Sequence, residues 1–190
     1  MRARGGGGAA LAVTMVLALA GALGAPAARA TGPPIDPPAS LLVQPFVDPV
    51  PLPDVGWTDL DGRRLGAVEL RGKLVLLNFW ATWCVPCRAE MPALDALYRA
   101  YRERGFVVLA VNFKESAPDV RRFVQTANLS FPIALDLDGS ASGALRVRGL
   151  PVSFLLDEDG KLLWKAIGSR AWDGPDAQAY LDRLLPRPRS

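Results

Sequence analysis

Histidine is absent from this 190-residue chain. Its absence excludes a Ser-His-Asp triad, a Cys-His nucleophile pair and any imidazole metal site. Methionine is nearly as scarce. Met1 and Met15 fall in the first thirty residues, which leaves Met91 for the rest, too few for a thioether-rich copper site. Cysteine occurs twice, at Cys84 and Cys87, so a four-ligand structural zinc site is not available. Net charge is also missing from most of the chain. The overall +3 comes from Arg2, Arg4 and Arg29 in the first thirty residues, which hold no acid; of the 22 basic residues, 19 then remain against 19 acidic ones. The high pI therefore does not indicate a nucleic-acid partner or a basic membrane patch.

The first thirty residues read as an export signal. Arg2 and Arg4 make a basic start, residues 9–23 are apolar and uncharged, and Ala28-Arg29-Ala30 places small residues where a signal peptidase cuts. The apolar run is short for a bilayer span, so membrane attachment is expected only if the signal is left uncleaved. Residues 31–54 are rich in proline and read as a linker, ahead of a domain over residues 55–190. That domain is placed outside the cytoplasm, in the periplasm or an equivalent compartment, where disulfides persist.

The pattern within the domain alternates. An Asp61-Gly62 turn divides two short strand-like pieces. Residues 73–80, KLVLLNFW, form an apolar run suited to a central strand buried on both faces. Residues 88–104 carry Met91, Leu94, Leu97, Tyr98 and Tyr101 at helical spacing, closed by Gly105, with Pro92 expected to kink or restart the helix. A second buried strand follows at 106–113, and a helix from Ser116 to about residue 128. After these come a short strand at 131–135, a weak helix near 140–145, a hairpin around residues 157–160 and a last helix over 174–185. The expected class is α/β, a sheet covered by helices on both faces.

The two cysteines lie three apart in FWATWCVPCRAEMP. A disulfide across so small a loop restrains little of the unfolded chain, so a purely structural staple is a poor use of it. Two thiolates suit Cu(I), and a carrier of that ion is an alternative. The third reading is chemical. The pair sits where a strand ends and a helix begins, and a helix N-terminus stabilises a thiolate there. Thiolate is the attacking species in disulfide exchange. Cys84 is expected at the exposed tip as attacker, with Cys87 one turn in as the resolving thiol. Pro86 fits the first turn, where no N–H is required.

NFWATWCVPCRAEMP, with DLDG and ELRGKLVLLNF before it and GLPVSFLLDEDGKLLW after it, resembles the thiol-disulfide oxidoreductases of the TlpA/ResA type. The likeness spans roughly residues 55–170. It implies a thioredoxin-like fold with a central mixed sheet and a protein disulfide reductase that needs no cofactor. It also implies an envelope protein substrate bearing a disulfide, in cytochrome c maturation or respiratory copper-site assembly, and a membrane electron donor that re-reduces the pair. An oxidant of thiols would use the same residues at a different redox poise. By the same resemblance Leu150-Pro151 is the cis-proline loop that binds substrate, and Glu90, three residues after Cys87, tunes the thiols and handles a proton. Asn78 stands where thioredoxins proper carry a buried aspartate. Trp83 is expected to shade Cys84 and meet the partner, while Trp80 packs. Trp57, Trp164 and Trp172 read as packing or surface residues, and Glu115 as a solvated loop residue.

Overall fold

A computed structural model describes residues 36–186. Its centre is strand β4 (Leu74–Trp80), in which all seven residues are buried. A strand can hide every side chain only if both faces are covered, and β4 alternates between two cores. Leu74, Leu76 and Trp80 face one apolar cluster, while Val75, Leu77 and Phe79 face the other. Asn78 shares the parity of the first set and is the one polar residue of the strand.

On that first face lie α1 (Val85–Tyr101), α2 (Ala117–Thr126) and α4 (Pro175–Leu184), which contribute Leu94, Val120 and Tyr180 among others. The opposite face is covered by the short α3 (Ser140–Ala144) and a 3₁₀ turn over Ala67–Leu70. β5 (Phe106–Phe113) and β6 (Ile133–Asp136) run parallel to β4 on one side. On the other side β7 (Val152–Leu156) and β8 (Lys161–Ile167) form the antiparallel hairpin expected around residues 157–160. There the Asp157 carboxylate accepts from the backbone N–H groups of Asp159 and Lys161. β2 (Gly56–Asp59) and β3 (Arg64–Gly66) extend the far edge beside β6, and β1 (Gln44–Pro51) forms the opposite edge. The sheet is mixed, with order β1-β8-β7-β4-β5-β6-β2-β3.

The proline-rich stretch is a correction to the sequence reading. It does not stay a linker up to residue 54. β1 pairs antiparallel with β8 as an edge strand, and Leu41 just before it is buried in the first core. Pro45, Pro49 and Pro51 are compatible because an edge strand need not donate every N–H to a neighbour. The segment is anchored by Arg170, whose guanidinium donates to the carbonyls of Leu41 (2.9 Å) and Leu42 (3.0 Å). The signal and the first residues of the linker lie outside the described residues.

Two further expectations change. α1 begins at Val85 rather than at residue 88; Pro86 lies in its first turn as expected, and Cys87 lies there too. The helix also runs unbroken through Pro92, an exposed position, although a proline there deprives one helical carbonyl of its N–H partner. Gly105, at φ 89°, ends the 3₁₀ turn that follows, a backbone region costly for any side chain.

Candidate active site

The β4–α1 junction sets the geometry. The Cys84 N–H donates to the Ala81 carbonyl at 3.2 Å, turning the chain out of the sheet. Cys84 is the N-cap of α1, and its Sγ accepts the Cys87 N–H at 3.3 Å. The first turn of α1 holds no acid to offset the positive end of the helix. Cys84 and Cys87 are joined in a disulfide, with Cα atoms 5.3 Å apart. In the dithiol form the same N–H and helix terminus favour the Cys84 thiolate. Cys84 keeps 5 % of its surface and Cys87 none. The order of access matches expectation, but Cys84 is not an exposed tip. The exposed side chains here are its neighbours Trp83 and Val85, at 63 % and 71 %. Trp80, by contrast, is buried against Phe123.

The strand register brings the second loop alongside. Phe79 pairs with Val152, and Val152 with Ile167. The residues just before β7 therefore sit beside the end of β4. The Leu150–Pro151 bond there is cis, and the Pro151 carbonyl accepts the Gly168 N–H at 2.8 Å. Leu150 is half-buried and touches both cores.

Glu90 lies one turn beyond Cys87 on the inner face of α1 and is only 2 % exposed. Its carboxylate is held by Asn78, Arg170 and Trp172, with a further hydrogen bond from the Ser169 side chain. Oε1 accepts from Asn78 Nδ2 at 2.9 Å. Oε2 accepts from the Arg170 backbone N–H at 3.1 Å and from Trp172 Nε1 at 3.0 Å. Burial pushes the Glu90 carboxyl above the ordinary carboxylate range, and the hydrogen bonds from Asn78, Arg170, Trp172 and Ser169 oppose that rise. Asn78 Nδ2 also donates to Ser153 Oγ on β7 at 2.9 Å.

Glu115 is not the solvated loop residue its position suggested. Its carboxylate accepts from the Thr82 N–H (2.7 Å), the Thr82 hydroxyl and Asn112 Nδ2 (2.7 Å). It thus fastens the loop two residues before Cys84. Sequence reasoning also missed Arg170, Trp172 and Ser153. Trp172 is buried, stacks on Trp164 with ring centroids 6.1 Å apart, and reaches Glu90 across 82 positions of sequence. No local pattern marks such a contact. Among the described residues no group of three or more Cys, Asp or Glu side chains is arranged to hold a metal ion.

The chain is similar to several known proteins. Residues 50–165 match the AhpC/TSA family. The chain is 40 % identical over 134 residues to a thiol-disulfide oxidoreductase ResA of Bacillus cereus, covering 70 % of this chain and 76 % of that protein. The ResA of Geobacillus thermodenitrificans is 39 % identical over the same shares. Among solved structures, StoA of Bacillus subtilis matches with a TM-score of 0.57 at 26 % identity, over 70 % of this chain and 98 % of that one. A thioredoxin-family thiol:disulfide interchange protein of Chlorobium tepidum TLS matches at 0.61 and 26 %, over 72 % and 99 %.

Proposed function

This chain belongs to the AhpC/TSA family and, within it, to the ResA-type thiol-disulfide oxidoreductases, and from that premise we propose that it is an exported reductant of disulfides in particular envelope proteins. The oxidoreductase chemistry belongs to Cys84 and Cys87. The observation that supports the direction of attack is the difference in access, with Cys84 partly open at the helix N-terminus and Cys87 sealed behind it.

The reaction starts from the dithiol. Cys84 thiolate attacks one sulfur of the substrate disulfide, forming a mixed disulfide and releasing the other substrate sulfur as thiolate. The substrate chain lies along the Leu150–Pro151 loop, against Trp83. Cys87 then loses its proton and attacks Cys84 Sγ, expelling the second substrate thiolate and closing the Cys84–Cys87 disulfide. Two electrons have passed to the substrate. Glu90, buried one turn below Cys87, takes that proton and returns it to the leaving thiolate or to water. A membrane donor supplies the two electrons and two protons that restore the dithiol. Cytochrome c maturation and copper-site assembly in respiratory oxidases are the settings proposed for the substrate, and residues 1–30 for export.

Two measurements test this. The reduction potential of the Cys84–Cys87 pair should fall near the thioredoxin value of about −270 mV; a value near about −120 mV identifies an oxidant instead. In an envelope extract Cys87→Ser should accumulate a mixed disulfide on Cys84 with a small set of proteins. Tight one-to-one Cu(I) binding by the dithiol with no mixed disulfide would replace this reading with copper carriage.

A further inference from the structure

The contacts around Glu90 leave one buried atom without a partner. Asn78 is fully buried, and its single amide nitrogen serves two acceptors, Glu90 Oε1 and Ser153 Oγ, each at 2.9 Å. Its carbonyl oxygen, Oδ1, has no hydrogen-bond partner among the described residues. A buried, unpaired carbonyl is costly and calls for a reason. The two partners of the amide share a property. Ser153 Oγ carries a hydroxyl that can donate as readily as accept. Glu90 Oε1 can do the same once it is protonated.

The other half of the carboxylate is the poorer place for a proton. Oε2 faces two N–H donors, the Arg170 backbone and the Trp172 indole. A proton on Oε2 would forfeit both of those bonds and gain at most one acceptor, the Ser169 hydroxyl that also bonds this carboxylate. When Glu90 is protonated, the O–H therefore belongs on Oε1, and there it meets the Asn78 NH2 group, donor against donor. A half-turn of the Asn78 amide about its Cβ–Cγ bond removes the conflict. Oδ1 then accepts from the Glu90 O–H and from the Ser153 O–H together. Each orientation makes two hydrogen bonds and leaves the opposite end of the amide unpaired. No covalent bond changes except the O–H on Oε1.

We propose that Asn78 is a positioning residue that keeps Glu90 anchored in both of its protonation states by reversing its side-chain amide, with the Ser153 hydroxyl reversing in concert. The proposal rests on the reading of Glu90 as a residue that takes up and gives back a proton. It also gives a reason for amide rather than carboxylate at this place in β4. A leucine would hold neither state and an ionised aspartate only the protonated one; an amide holds both within one volume. The groups around Glu90 that carry charge or titrate are Cys84 and Cys87 on its own helix and Arg170 from the β8–α4 loop. The Arg170 guanidinium is turned away onto the carbonyls of Leu41, Leu42, Ile167 and Ser169. The remaining neighbours, Asn78, Ser153, Ser169 and Trp172, are neutral, so the pH response of the amide reports Glu90.

The test is NMR on the isotope-labelled full chain in its disulfide form, where the cysteines do not titrate. The Glu90 side-chain carboxyl is followed with pH, together with nuclear Overhauser contacts from the Asn78 amide protons to the Ser153 and Glu90 side chains. These contacts should be present above the Glu90 midpoint and lost below it. Contacts that persist unchanged through the Glu90 titration overturn the proposal. Glu90→Gln supplies a second arm. Its amide oxygen belongs at the Oε2 position, against the two N–H donors, so its NH2 faces Asn78 and should hold the reversed orientation at every pH. Retention of the original contacts in that variant also overturns the proposal. The proton role of Glu90 is judged separately, by the pH profile of Cys84 alkylation in the dithiol. If Glu90→Gln leaves that profile unchanged while the Asn78 contacts still switch, the proton role fails and the amide reversal stands. If the profile changes and the contacts do not switch, the reversal fails alone.

Discussion

Trp172→Phe isolates one of the hydrogen bonds that hold Glu90. The indole Nε1 donates to Oε2 at 3.0 Å, while the ring stacks on Trp164 with planes 8° apart. Phenylalanine keeps an aromatic face for that stack and deletes the donor. A hydrogen bond to a charged group contributes about 1.5–3 kcal/mol. Its loss falls on the ionised form, because a protonated Glu90 needs the donor far less. At about 1.4 kcal/mol per tenfold, the acid dissociation constant of Glu90 should fall roughly ten- to hundredfold. The carboxyl then titrates higher still than burial already places it. Carbon NMR of the Glu90 carboxyl in the disulfide form reads this directly. Trp164→Phe is the matched control. It deletes the 3.2 Å bond from the indole to the Tyr180 hydroxyl and disturbs the same stack, with no donor to Glu90 lost. If Trp172→Phe moves the Glu90 midpoint no further than Trp164→Phe does, the indole is packing and nothing more, and the account of how Glu90 is held is wrong.

Three other outcomes follow from the same geometry. Cys84→Ser should abolish reduction of a disulfide substrate, whereas Cys87→Ser should lose turnover but keep a single round of mixed-disulfide formation, seen on non-reducing gels. Glu115→Ala leaves the Thr82 N–H and the Asn112 amide without their acceptor; it should cost about 1–3 kcal/mol of stability and slow substrate reduction although no cysteine is touched, as measured by urea unfolding and an insulin reduction assay. Glu90 sets a pH dependence of stability. Its carboxyl is raised in the folded state, so the folded chain binds the proton more tightly than the unfolded one. Stability should therefore fall as pH rises from the ordinary carboxylate value through the folded-state one, then level off. Urea midpoints of the disulfide form between about pH 4 and 8 should show this slope, and Glu90→Gln should flatten it; an identical slope in the variant refutes the assignment.

The sequence makes some of this legible and hides the rest. β4 could be read because a run apolar but for Asn78 has few other uses. α1 could be read because its buried residues recur at helical spacing. β1 could not, since a proline-rich run looks like solvent-exposed chain until an edge such as β8 is there to receive it. Glu115 was misjudged for a related reason. Its partners, Thr82 and Asn112, are a loop and a strand end whose meeting depends on β4 and β5 lying in parallel register.

Export, linker and domain aside, the linear order of residues by itself determined the chemistry: two thiols one helical turn apart at a strand-to-helix junction, with an acid one turn further in. Those relations are local, and helix geometry settles them wherever the chain folds. Only the tertiary structure decided what surrounds that acid. Arg170 and Trp172 stand 80 and 82 positions from Glu90, and Ser153 75 from Asn78. They meet because sheet register and the path of the β8–α4 loop carry them to one buried point. Contacts at such separation depend on the packing of the entire sheet, which no short window of sequence contains.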